Sequence, residues 1–181
     1  MASRTIGTLL VVMLTAAGAG ACTVSGPPGE PSVPRAEVLG SGADRFGPNA
    51  TVVLAHPEVR ARAEAMYGVD WTAAPGQGRL HRPAADFFTA SSAPRLVRIG
   101  ETTYVAVPGC AANACRTDRG LLLISNDGSE LLSRVDEGGF SHYYAFRSDG
   151  TVTPATRALL DGAWRALQPA ASRGHALFET A

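Results

Sequence analysis

Cys110 and Cys115 are the pair best placed for chemistry, in the hexapeptide Cys110-Ala111-Ala112-Asn113-Ala114-Cys115 just after Pro108-Gly109. Four intervening residues are too many for a Cys-x-x-Cys redox pair, and no second Cys or His cluster completes a zinc site. An exported chain keeps disulfides, and export is what the N-terminus indicates, so the spacing predicts a bridge. Closing so small a ring stabilises by about 2 kcal/mol in the chain-entropy model. Two roles stay open. The ring is a staple for its hairpin, or it is a rigid protruding loop whose ordering cost is met before a partner arrives, which favours insertion into a cleft. The side chains within it are small, so the loop is expected to be slim and to expose backbone groups. Its partner-binding candidates are Gly109, Ala111, Ala112, Asn113 and Ala114. Arg116, Asp118 and Arg119 follow and could form a polar rim.

Other reactive residue types form no such group. His56, His81, His142 and His175 are scattered, without metal-ligand spacing, so no metal and no cofactor is expected. His142 alternates with Phe140, Tyr144 and Phe146, which suits sheet packing or a face flanking the loop. His56 and His81 read as loop or helix-start positions. There is no Gly-x-Ser-x-Gly elbow, acid pair or nucleophile–base pair, and the chain is not read as an enzyme. All 16 cations are Arg, which excludes Schiff-base chemistry and a P-loop lysine. Sixteen acids balance them. A neutral chain is not built to grip nucleic acid or an anionic membrane by electrostatics. Asn49-Ala50-Thr51 matches a glycosylation triplet but has no meaning in a bacterial export route.

The start of the chain reads as an address. Arg4 supplies a positive n-region, Ile6 to Leu14 a short apolar core, and Ala16 to Ala21 only Ala and Gly. That core is far below the ~20 residues needed to span a bilayer. Ala19-Gly20-Ala21-Cys22 resembles a lipobox, with Ala19 where Leu is usual. Residues 1–21 are therefore expected to be a signal peptide and Cys22 a lipidation site, the alternative being plain cleavage that leaves a free thiol. In similar lipoproteins a Thr after the Cys, here Thr23, implies outer-membrane sorting. Residues 22–48, rich in Pro, Gly and Ser, read as a flexible tether from the lipid, and 49–181 as one folded domain.

The elements that must position the ring follow from periodicity. His56 to Gly68 reads as a helix with Pro57 at its first position, burying Val59, Ala63, Met66 and Tyr67, with Glu58 and Arg62 paired outside. Thr153 to Leu167 reads as a second, capped by Thr153 and burying Leu160, Ala163, Trp164 and Leu167. Between them the period is two. Strands are expected over 95–99, 102–107, 119–125, 129–135 and 140–147, joined by tight turns such as Asn126-Asp127-Gly128. Leu121 to Ile124 is a continuous apolar run. Trp71 to Ser92 has no regular pattern, and Phe87 and Phe88 are expected to cap the core. The expectation is an α+β fold, a five-stranded antiparallel sheet with its helices packed on one face.

Within that order, Gly100-Glu101-Thr102-Thr103-Tyr104-Val105-Ala106-Val107, then Cys110 to Cys115, then Arg119-Gly120-Leu121-Leu122-Leu123-Ile124-Ser125 resembles the core of the Ivy proteins, inhibitors of vertebrate lysozyme. The likeness runs from near Val53 to Leu167. It implies a periplasmic lysozyme inhibitor that inserts its disulfide loop into a muramidase cleft, the partner being host lysozyme or a lytic transglycosylase. Family loops read close to Cys-Lys-Pro-His-Asp-Cys, and a loop His bonds the catalytic carboxylates. Here Asn113 holds the His position, and its amide donates but cannot become cationic. This implies weaker inhibition or a redirected target, or a non-inhibitory structural or interaction lipoprotein that keeps the fold. Some family members pair as homodimers; no interface signature marks this chain for it.

Overall fold

The structure is a computed structural model that describes residues 34–41, 43–72, 76–147 and 149–168. Its sheet is antiparallel, with seven strands: β1 Ala36–Ser41, β2 Ala90–Ser91, β3 Arg95–Ile99, β4 Thr102–Cys110, β5 Arg119–Ser125, β6 Leu131–Glu137 and β7 Phe140–Phe146. The order across it is β1-β3-β4-β5-β6-β7. Two-residue β2 pairs with the end of β4, Ala90 opposite Cys110 and Ser91 opposite Gly109, on the edge that β3 follows lower down. The expected meander is present as β3 to β7, so the sheet has two strands more than the five expected.

One of the additions lies in the stretch read as tether. Ala36–Ser41 pairs with β3, with a register shift between Val38 and Gly40, and Phe46 in the 3-10 helix Asp44–Phe46 is 1 % exposed. The folded domain therefore begins before residue 49. Ala36 and Val38 alternate toward the core while Glu37 and Leu39 face out, a pattern too short to read among Pro and Gly.

Three α-helices pack on the sheet: α1 Ala50–Ala55, α2 Pro57–Tyr67 and α3 Pro154–Leu167. The short α1 went unread in the sequence. Asn49, the residue of the glycosylation triplet, is its cap, accepting the Val52 N–H at 3.0 Å. Thr153 caps α3 as expected. On α2 the exposed pair is Arg60–Glu64, and the Arg62 guanidinium instead reaches the carbonyl of Gly128.

The helices do not share a face. Val53 of α1 and Val59, Ala63 and Tyr67 of α2 pack with Val105, Val107, Leu122, Ile124 and Val135. Leu160, Ala163 and Trp164 of α3 pack with Val97, Ala106, Leu121, Leu123 and Leu132 on the other side. The unbroken apolar run of β5 is the physical reason. With both faces of Leu121 to Ile124 apolar, each must be covered, and one helix layer covers only one. No helix among the described residues is long and apolar enough to cross a membrane.

Candidate functional site

The disulfide ring sits where β4 ends. Cys110 and Cys115 are bonded, with Cα atoms 4.9 Å apart. The turn between them is made by its backbone. Ala114 N–H donates to Ala111 C=O at 3.0 Å, and Asn113 has φ +66°, the one non-glycine residue in that region among those described. A turn with positive φ at its third position takes Gly or Asn, because other side chains strain there. The conformation itself thus accounts for an Asn at position 113.

Three further contacts fasten the ring. Ala111 N–H donates to Asp118 C=O at 3.0 Å, and Asp118 N–H donates back to Ala114 C=O at 2.8 Å. Ala112 N–H donates to Thr89 Oγ1 at 3.0 Å. Thr89 follows the 3-10 helix Ala84–Phe88, whose Phe87 and Phe88 are fully buried, as expected of core-capping residues. The amide hydrogens of Ala111, Ala112 and Ala114 are therefore used inside the fold rather than offered to a partner. Ala111 is 1 % exposed. Ala112 and Asn113 are exposed, Ala114 is half-buried and Cys115 is exposed. Gly109 lies against the core, because a Cβ there would stand 2.8 Å from both the Phe87 carbonyl oxygen and the Phe88 Cα. The outward tip is thus the short stretch from Ala112 to Thr117. Cys22 and His175 lie outside the described residues.

An ion cluster around two buried carboxylates supports the base of the ring. Asp118, a candidate for a polar rim, is instead 7 % exposed and pairs with Arg82 at 2.9 Å. Arg82 also lies 3.7 Å from Oε1 of Glu137, which is 7 % exposed, and stacks over Phe87 at 5.8 Å. Glu137 Oε2 accepts the His81 N–H at 2.8 Å and meets its Nδ1 at 3.1 Å. Removing the arginine would leave the buried Asp118 carboxylate without its ion-pair partner and Glu137 held by His81 alone. Composition did not mark Arg82 or Glu137. Only the adjacency of Arg119 and Asp136 across β5 and β6 brings Asp118 and Glu137 together.

Asp70 carries the second buried network. Its carboxylate accepts the N–H groups of Arg79 at 2.6 Å and Leu80 at 3.2 Å and the Tyr144 hydroxyl at 2.9 Å. Burial works against its charge, but these bonds and the Arg79 guanidinium prevail and hold the carboxyl below its usual range. The Tyr67 hydroxyl meets Ser133 Oγ at 2.6 Å, and burial raises the pKa of both Tyr67 and Tyr144. Tyr144 and Phe146 thus face the α2 core. Phe140, on the same side at the strand's start, is 72 % exposed. These groups pin the irregular chain after α2 to the sheet, and none opens onto the ring. No metal-binding cluster exists among the described residues.

Arg95, Arg116 and Arg119 lie around the ring and have no ion-pair partner among the described residues. Arg95 and Arg119 edge a groove of about 560 Å³ between the ring and the end of α3. Comparison with known families, with curated proteins and with solved structures gives no match.

Proposed function

We propose that this chain is an exported envelope protein, lipid-anchored at Cys22, that binds the active-site cleft of a muramidase through its disulfide ring. The observation that carries the reading is the pairing of a fastened, outward tip with arginines that have no ion-pair partner among the described residues. Ala112 and Asn113 are exposed on a turn held by the disulfide and by Thr89, and Arg116 and Arg119 flank it. A muramidase cleft holds two carboxyl groups. A narrow tip bearing an amide donor, with cations at its rim, complements such a cleft in shape and charge. The order of hairpin, ring and hairpin, which resembles the Ivy inhibitors, supports the same target class.

The purified domain is assayed against a panel of lysozymes and lytic transglycosylases. Inhibition by the wild type is expected, weakened by Asn113→Ala and by Cys110→Ser. No inhibition of any muramidase would overturn the proposal. A second reading, an interaction lipoprotein without inhibitory action, is favoured by the three alanines, which leave Asn113 as the ring's sole polar side chain. Crosslinking in the envelope separates the two, because recovery of a muramidase counts against the second.

A further inference from the structure

The groove beside the ring has a chemistry of its own. It lies on the α3 face of the sheet. Pro108 and Leu121, paired across β4 and β5, form its floor with the Cys110–Cys115 bridge. Trp164 and Leu167, at the end of α3, form the facing wall. Its volume of about 560 Å³ falls within the range of about 300–1,000 Å³ typical of small-molecule sites. Among the described residues that line it there is no carboxylate, whereas Arg95 and Arg119 both line it. Arg119 stacks over the Trp164 ring at 5.9 Å and spends one donor on a long 3.5 Å bond to the Arg116 carbonyl. Arg95 is exposed. Two guanidinium groups beside an apolar slot are suited to a ligand with one anionic end and an apolar body, because an arginine fork matches a carboxylate with two parallel bonds.

We propose that this groove binds a medium-chain fatty carboxylate, its alkyl chain against Pro108, Leu121 and Trp164 and its carboxylate on Arg95 and Arg119. Charge complementarity selects the anionic head, and the apolar wall selects the chain. An unbranched chain can follow a groove open on one side and leave its head at the arginine rim. The proposal does not rest on the muramidase reading, although Arg119 belongs to both, and a failed inhibition assay leaves it standing.

The test uses the full chain carrying Trp71→Phe, so that Trp164 is the remaining tryptophan of two. Decanoate is titrated below its micellar range while Trp164 emission is followed. A saturable change at one equivalent is expected. Decanol should bind at least tenfold more weakly, and Arg95→Gln combined with Arg119→Gln should raise the decanoate Kd at least tenfold. Arg95→Gln alone, at an exposed position, gives a smaller rise in Kd and keeps the test decisive if the double variant does not fold. Absence of a saturable change, equal binding of decanol, or arginine variants with unchanged Kd would overturn the proposal. So would displacement of decanoate by a peptide of residues 169–181, which would make the groove a seat for a segment of this chain.

Discussion

Gly120→Ala tests how the ring is seated. Gly109 and Gly120 face each other across β4 and β5, and both turn toward Phe88. A Cβ on Gly120 would lie 2.7 Å from Phe88 Cζ and 3.0 Å from both Cε atoms. On Gly109 it would stand 2.8 Å from backbone, the Phe87 oxygen and Phe88 Cα. Carbon atoms pack best at about 3.5–4.0 Å, so each alanine overlaps its neighbour by close to 1 Å. Phe88 is 1 % exposed, so it cannot swing out into solvent. Overpacking of this kind costs about 1–3 kcal/mol. Alanine recovers about 0.5–1 kcal/mol of backbone entropy relative to glycine in a strand. The expected net loss is about 1–2 kcal/mol for Gly120→Ala, where a ring edge can shift. It is about 2–2.5 kcal/mol for Gly109→Ala, where the 3-10 helix backbone must move.

The discriminating step repeats both substitutions in a Phe88→Leu background, read by urea unfolding under far-UV circular dichroism. Leucine removes the ring atoms that Gly120→Ala meets, so its cost should fall below about 0.5 kcal/mol, whereas Gly109→Ala keeps most of its cost. Because Thr89 adjoins Phe88 and holds Ala112, the Ala112 amide should also exchange faster with solvent in Gly120→Ala. An unchanged stability, or the same cost for Gly120→Ala in both backgrounds, would refute the packing account.

Three further outcomes are expected. Asp70 has a folded-state pKa below its unfolded value, so its contribution is complete above about pH 4 and is lost as pH falls through the folded value. Asp70→Asn should cost about 2–4 kcal/mol at neutral pH and flatten the acid limb of the stability curve, measured by urea unfolding between about pH 2 and pH 7. Opening the ring with Cys110→Ser and Cys115→Ser together should cost about 2 kcal/mol, read as a lower urea midpoint at unchanged slope. Asn113→Gly should change stability by less than about 0.5 kcal/mol, whereas Asn113→Val, which tolerates φ +66° poorly, should cost about 1–2 kcal/mol by thermal unfolding.

Strands β3 to β7 and helices α2 and α3 are legible in the sequence because each carries its own period and its own stop signals. Pro57 and Thr153 mark helix starts, and Asn126-Asp127-Gly128 turns β5 into β6. β1 and α1 are not legible, because β1 lies in a Pro- and Gly-rich stretch with its register broken between Val38 and Gly40, and α1 is under two turns long. They are ordered by what they touch, β1 by the edge of β3 and α1 by the buried Phe87–Phe88 layer. The ring was visible as a cysteine spacing. That Ala111 is buried, and that the ring's amides are already bonded, depended on Thr89 and Asp118, which local pattern cannot link to it. Arg82 and Glu137 gave no signal for the same reason: ion pairing across 55 residues of sequence leaves no periodicity.

The sequence by itself determined the alternation that builds the strands, the turn residues that join them and the cysteine pair that closes the ring, since all of these act over a few neighbouring residues. Tertiary structure alone decided which face each helix covers, because Leu121 to Ile124 require cover on both sides without saying which helix supplies it. It also decided that the ring rests on the buried carboxylates of Asp118 and Glu137, joined by Arg82, beside a groove edged by arginines. Those arrangements are fixed by strand register and close packing, which join residues far apart in the chain.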